Sequence, residues 1–367
     1  MKRFCCVQLS GGVDSAFHSA SRLSKYLGVF PYELKSRKLK LSKCGLLWSL
    51  LLKSIIVTIE ILLILDPPSE LNKSFIGTFL IWVQLGSLTA GLMINLLWLH
   101  NTKEKLEVAL SLLNDVHDKL VDSEMNVSLV SPFLSLLMIT IIATVGSALN
   151  FDYKLNTTIL YISYYLTSVM ICGVALQLSG TLQFTKHFFK ELRLRLPKPS
   201  SQTCASVDLL IECHEILITA CEAVNQAYAP QLLLIILSSF VLVTGNSYSV
   251  LVFKNPSDIV LLISWALLFA HLTWHIISAC DATYTEAEEF DKTLYRLILD
   301  DNVGIISQNM KVCMHFTNKR TVEFTACGFF SINYTTTSSM VATACTYLVI
   351  LIQMAGIKEN STQINIR

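Results

Sequence analysis

The sequence predicts an all-α membrane protein with seven transmembrane helices, and three observations predict it. Hydrophobic residues make up 53% of the 367-residue chain and charged residues only 15%, against about 25% charged in soluble domains. Mean hydropathy is +0.54 over the full length. Seven apolar runs reach the roughly 20 residues a helix needs to cross a bilayer: residues 44–65, 75–99, 130–149, 158–178, 229–253, 259–279 and 329–355.

Lysine and arginine set the orientation, because they accumulate on the cytoplasmic side. With the N-terminus inside, 22 of the 28 Lys and Arg fall in cytoplasmic segments and 5 outside, Lys53 lying within the first span. The reverse orientation inverts that ratio. The N-terminus is therefore expected in the cytoplasm and, after an odd number of spans, the C-terminus outside. No cleavable signal peptide is expected ahead of Lys35, Arg37, Lys38, Lys40 and Lys43, which stand just before the first span. The chain divides into a cytoplasmic tail, 1–43, a seven-transmembrane domain, 44–355, and an extracellular tail, 356–367.

Glycosylation sequons at Asn72, Asn156 and Asn360 fall in expected outside segments, and those at Asn126 and Asn333 fall inside or in the membrane. All 11 cysteines lie in spans or cytoplasmic segments, so no disulfide framework is expected. Cys5-Cys6, beside a basic tail, is either a palmitoylation site or a plain thiol pair.

The expected outside loops are short (66–74, 150–156, 254–258) and the inside segments long. Segment 101–129 reads as an amphipathic helix, with Leu106, Leu110, Leu113 and Leu120 on one side. Segment 181–228 holds a basic stretch, the breaker Pro197-Lys198-Pro199, then Leu209, Leu210, Cys213, Ile216 and Leu217 at helical spacing. Segment 281–327 starts acidic and carries Leu294, Leu297 and Ile298. Leucines so spaced need a partner, so the spans are expected to continue into the cytosol as a packed helical layer. Lys53 and Glu60 lie seven apart on one face of the first span. They are costly in lipid and should turn inward or snorkel, with an ion pair to another span expected ahead of a ligand role.

Composition and motifs also exclude functions. A net charge of +1 gives no field that would attract nucleic acid. Ser10-Gly11-Gly12-Val13-Asp14-Ser15 matches the phosphate loop of ATP pyrophosphatases. Such a loop needs a parallel α/β sheet around it, and no room for one remains before the first span. No catalytic triad is present. His214-Glu215 lacks the second histidine of a zinc helix, so neither metal nor cofactor is expected.

The last span reads Thr346-Tyr347, five apolar residues, then Gln353-Met354. This resembles the signature of insect gustatory receptors, Thr-Tyr, five apolar residues, Gln-Phe. "YLGVFPYEL" (Tyr26 to Leu34) resembles the segment before that family's first span, and "FTACGFFSIN" (Phe324 to Asn333) the stretch leading into its seventh. The resemblance runs from about residue 22 to the end, and the first 20 residues match nothing in the family. Met354 replaces the family's phenylalanine with a soft side chain of similar bulk. Leu348 stands where sugar-receptor members often carry glutamate.

The resemblance implies a ligand-gated, non-selective cation channel in the plasma membrane of sensory neurons, similar to insect odorant receptors. It implies a homotetramer, or a heterotetramer with related receptors, passing monovalent and divalent cations. Gln353, Met354 and Ile350 would line the narrow outer pore, with Thr346 and Tyr347 near the base of that helix. The tastant, a bitter or plant-derived small molecule, would bind among spans 2 to 6, where the outer halves offer Trp82, Gln84, Thr144, Tyr161, Tyr164, Tyr165, Thr244, Asn246, Tyr248 and Trp265. Tyr161, Tyr164 and Tyr165 share one face and serve either as ligand contacts or as an interfacial aromatic belt. A fructose-type or sugar-alcohol ligand is the alternative within the family. A G-protein-coupled receptor is the alternative class, and it predicts an outside N-terminus.

Overall fold

Helices dominate because a chain crossing lipid must satisfy its backbone groups from within. The computed structural model describes residues 6–8, 21–22, 24–35, 38–65, 75–120, 126–128, 141, 155–196, 204–252, 256–301, 304 and 306–364. The helices are α1 (Lys43–Leu65), α2 (Phe75–Leu97), α3 (Leu99–Lys119), α4 (Leu155–Arg195), α5 (Cys204–Val252), α6 (Pro256–Leu299), α7 (Met310–Thr317) and α8 (Tyr334–Ile364). Among the described residues five helices are long and apolar enough to cross a membrane, or six if α2 and α3, bent by 62° at Trp98, count as one broken span. The expected span 130–149 lies outside the described residues, apart from residue 141.

Helices α4, α5 and α6 are 41, 49 and 44 residues long, twice what a bilayer needs. One half of each is apolar and the other polar, so they build both a membrane bundle and a polar layer beyond it. α5 packs against α2, α3, α4 and α6, and also touches α7 and α8. In the polar layer Leu106, Ala109, Leu110, Leu113 and Val116 of α3 are buried, as are Leu210, Cys213 and Leu217 of α5 and Leu294 of α6. Leu209 points outward. The helix expected over 101–129 ends at Lys119, and Asn126–Ser128 instead forms strand β4 (β1 is Cys6–Gln8, β2 Tyr32–Lys35, β3 Lys38–Leu41). β4 pairs antiparallel with β1, the strand just before the glycine-rich stretch. A two-stranded antiparallel ribbon is not the parallel sheet a phosphate loop requires; Ser10 to Ser15 themselves lie outside the described residues.

Ahead of α1, the β2–β3 hairpin and the turn before it dock on the bundle. Val29, Phe30, Tyr32, Leu34 and Leu39 are buried. Gly28 has φ +72, and a Cβ there would meet Leu52 Cδ1 at 2.7 Å. Its carbonyl accepts from Ser49 Oγ at 2.6 Å, and Tyr26 O accepts from Trp48 Nε1 at 2.9 Å, which ties this segment to α1.

Lys53 and Glu60 both turn inward, but among the described residues neither finds an ion pair. Lys53 Nζ donates to Asn95 Oδ1 at 2.8 Å, and Glu60 accepts from the Thr89 hydroxyl. The reason is compositional: α2 contains no charged residue, so neutral partners take the role. These two polar bridges hold α1 to α2 at depths where water cannot compete.

Gly28→Ala is expected to destabilise the protein by about 1–3 kcal/mol, through a left-handed backbone and the clash with α1. Gly86→Ala, where an added methyl meets open space, should be neutral or slightly stabilising. Thermal unfolding of detergent-purified protein distinguishes them; equal melting temperatures for the two variants would refute this role for Gly28.

Candidate functional site

The base of α8 is fixed by the chain that precedes it. Phe324 to Ile332 folds into a tight hairpin, with Thr325 bridged to Ser331 and Ile332 N donating to Phe324 O at 2.7 Å. Cys327 and Gly328 supply the turn, with φ 53 and 77. Phe324, Ala326 and Ile332 are buried. Asn225 of α5 clamps the hairpin: its Oδ1 accepts from Thr325 N at 3.1 Å and its Nδ2 donates to Thr325 Oγ1 at 3.4 Å. Just upstream, Arg320 bonds Glu222 Oε2 at 2.7 Å and Thr219 Oγ1 at 3.3 Å, both on α5.

The helix then starts at Tyr334, not at 329 as the apolar run suggested, because Phe329 to Ser331 belong to the hairpin. Asn333 is its cap, accepting from Thr336 N at 3.1 Å. Asn333 Oδ1 also accepts from the Thr335 and Thr336 hydroxyls. α8 continues to Ile364, so most of segment 356–367 is helical.

Along α8, Thr346 Oγ1 donates back to Ala342 O at 3.0 Å. The Tyr347 ring meets Phe240 of α5 edge-on, with centroids 6.1 Å apart. Tyr334 Oη donates to Ser278 Oγ of α6 at 3.3 Å. Met340 also packs against the core, yet no residue of the α8 apolar window is buried within the single chain. Ile350, Gln353 and Met354 are all exposed.

The candidate ligand residues fall into three groups. Gln84 of α2 and Asn246 of α5 meet through a 3.4 Å hydrogen bond, and both are buried, together with Thr244, Tyr248 and Trp265. Trp82 and Tyr165 are half-buried and pack against the same core. Tyr161 and Tyr164 lie on α4 by their backbone, with side chains outside the described set, as Thr144 is entirely. A cavity of about 30 Å³ lies elsewhere, toward the polar layer, lined by residues such as Val29, Asn95, Met170 and Gln231. It suits water, since ligand pockets run to about 300–1,000 Å³. Of the candidate glycosylation sites, Asn72 lies outside the described residues, Asn156 falls in the first turn of α4 and Asn360 within α8.

The polar layer is laced by ion pairs between helices. Lys119 meets Glu212 at 2.7 Å and Arg193 meets Glu286 at 3.2 Å. Exposed pairs of this kind contribute about 0–1 kcal/mol each. Asn309 caps α7 by accepting from Lys311 N at 2.8 Å and donates to Asp208 Oδ1 of α5 at 2.7 Å. Deeper, His214, Asp291 and His315 converge from α5, α6 and α7. Burial holds the His214 imidazole down, to about 4. Burial alone would raise the Asp291 carboxyl, but the hydrogen bond from His315 and the nearby His214 and Lys319 bring it below the usual carboxylate range.

Residues 17–355 match the profile of the 7tm chemosensory receptor family. The chain belongs to that family. It resembles the gustatory and pheromone receptor 32a of Drosophila melanogaster, being 29% identical over 133 residues, 34% of this chain and 28% of that receptor, so the match spans under a third of the relative's length. The fold is similar to that of the insect olfactory receptor OR5 of Machilis hrabei, with TM-score 0.65 and 13% identity over 92% of this chain and 97% of that one. The same receptor in complex with eugenol gives TM-score 0.61 and 12% identity, over 93% and 98% of the two chains. The protein is thus a chemosensory receptor with the insect olfactory-receptor fold, and not an enzyme.

Several residues of this receptor's site were hidden from sequence reasoning. Asn225 and the His214–Asp291–His315 group act through partners distant in the chain. Asn333 acts locally, and its signal is an N-cap residue directly ahead of a helical run. Asn333→Ala is expected to cost about 1 kcal/mol and Asn333→Asp close to nothing. Melting temperatures of the purified receptor test this, and an unshifted alanine variant would remove the cap from the account of how α8 is held.

Proposed function

We propose that this receptor is a gustatory receptor of sensory-neuron plasma membranes, acting as a ligand-gated, non-selective cation channel opened by bitter or plant-derived small molecules. One observation carries the reading: no residue of the α8 apolar window is buried in the single chain, and its exposed side includes Ile350, Met354 and the Gln353 amide. An amide facing lipid is unsatisfied at a cost of several kcal/mol. Four chains around a central axis would place the α8 helices together, with Gln353 toward ions and Met354 and Ile350 forming an apolar gate that dewets when closed. The imbalance of 22 Lys and Arg against 5 supports an inside N-terminus and an outside C-terminus.

The ligand would sit among Trp82, Gln84, Tyr165, Thr244, Asn246, Tyr248 and Trp265, an aromatic wall with a few polar groups. Eugenol, the ligand in one structurally similar olfactory receptor, is a small aromatic molecule compatible with such a wall. The Gln84–Asn246 amide pair favours a hydroxyl-bearing ligand and keeps the sugar-alcohol reading open to the same experiment.

That experiment is whole-cell recording from cells expressing this chain, during perfusion with bitter compounds and sugars, with G-protein signalling blocked. The expected result is a fast inward current reversing near zero, with selectivity altered in Gln353→Ala and the half-maximal ligand concentration raised about tenfold in Tyr165→Ala, the loss of one good aromatic contact. A C-terminal tag should stain on intact cells. A tag reachable only after permeabilisation, with no current from chains at the surface, would sink the channel reading.

A further inference from the structure

We propose that His214, Asp291 and His315 form a binding site for one divalent transition-metal ion of the zinc class. The three side chains are 1%, 7% and 4% exposed. They come from three different helices, which is why no spacing motif in the sequence pointed to them. His315 Nε2 lies 3.0 Å from Asp291 Oδ1 and His214 Nε2 lies 3.8 Å from the same oxygen. The three donor atoms all lie within 4.8 Å of one another. A tetrahedral zinc ion with ligands at about 2.0–2.1 Å sets donors about 3.3 Å apart. Two of the edges are therefore within about half an ångström of that value, and small side-chain rotations close the third.

The donor set selects the class of ion. Two imidazoles and one carboxylate suit zinc, cobalt or nickel; calcium and magnesium demand oxygen ligands. A fourth position remains for water.

The surroundings fit a ligand role as well. The His214 ring is held between Phe290, stacked at 4.4 Å, and Phe189, edge-on at 5.3 Å. Its Nε2 faces two acceptors, Asp291 Oδ1 at 3.8 Å and the Ala287 carbonyl at 3.4 Å, while Nδ1 is buried with no hydrogen-bond partner. A proton on Nε2 reaches the Asp291 carboxylate only at long distance, whereas a cation between Nε2 and that oxygen would meet it directly. His315 Nε2 donates to Asp291 Oδ1 at 3.0 Å, so an ion would take the place of that proton, and Nδ1 faces Glu215 Oε1, 3.8 Å away, which can accept from it once Nε2 is a ligand. Lys319 Nζ stands 3.3 Å from Asp291 Oδ2, on the oxygen away from the two imidazoles, and its side chain is exposed enough to swing aside.

Such an ion would pin α7 to α5 and α6, immediately upstream of the hairpin that seats α8. Metal sensitivity of the current rests on the channel reading above. Binding itself does not, so the decisive test is binding.

The full-length receptor, purified in detergent and stripped with a chelator, is titrated with Co²⁺ and followed by visible absorption, then competed with Zn²⁺. One ion per chain, a tetrahedral cobalt spectrum displaced by zinc, and affinity lowered at least tenfold in His315→Gln and Asp291→Asn are the expected results. His100→Ala, at an exposed histidine paired with Glu104, should leave binding unchanged. Size-exclusion profiles matching the unmodified receptor identify variants that still fold, and His214→Gln supplies a third where either of the others does not. No cobalt binding by the unmodified receptor, or unchanged affinity in the folded variants, would overturn the proposal.

Discussion

The packing of α5 against its neighbours is the interaction on which the rest of the structure depends. One 49-residue helix passes through both layers, contributing Leu232, Ile235 and Leu242 to the membrane core and Leu210, Cys213, Leu217 and Val224 to the polar one. Remove its inner face and α2, α3, α4 and α6 lose their common partner. Burial of such side chains stabilises by about 1.5–3 kcal/mol each in the polar layer, where water is the alternative. In the membrane half lipid is as apolar as leucine, so close packing and hydrogen bonds carry the association instead. Pro230 sits where the two regimes meet. It has no N–H to offer the Gln226 carbonyl, and nearby Thr102 of α3 donates to Ala227 O at 3.0 Å, knitting the break into the polar layer.

Apolar runs long enough to cross a bilayer are legible in any sequence, because lipid admits few exceptions. The leucine spacing in the polar segments was equally legible: Leu106, Leu110 and Leu113 found buried positions because period 3.6 puts them on one face, and α5 offered the complementary one. The start of α8 was misplaced by five residues for the same reason that it was found at all. Hydropathy counts Phe329 and Phe330 as membrane residues, and only the long-range clamp from Asn225 reveals that they belong to a turn. Lys53 and Glu60 show the limit from the other side. Their inward turn follows from their cost in lipid, but the identity of their partners, Asn95 and Thr89, depends on the register between α1 and α2.

For the residues offered as a ligand site, residue type is legible in the sequence and arrangement is not. Which aromatic and polar residues lie toward the outer halves of the spans follows from counting along each helix. That Gln84 pairs with Asn246, 162 residues away, follows only from how α2 and α5 cross. The same holds for His214, which in sequence lacks the second histidine of a zinc helix and has Asp291 and His315 beside it only because α6 and α7 bring them there.

On the channel reading, α5 also explains how a ligand at one end of the bundle can bias a pore helix along its whole length. Its outer end carries Thr244, Asn246 and Tyr248 of the candidate pocket, its middle carries Phe240 against Tyr347, and its polar half carries Asn225 against Thr325 and Glu222 against Arg320. α8 is therefore held at its base by directional polar bonds and higher up by ring and apolar contacts. Ring contacts of this sort contribute about 0.5–1.5 kcal/mol and tolerate sliding, whereas the bonds at the base do not. A ligand that tilts the outer end of α5 about Pro230 would accordingly move Phe240, and with it the upper half of α8, while the hairpin stays seated. Motion confined to the half that carries Ile350, Gln353 and Met354 is what an outer gate requires.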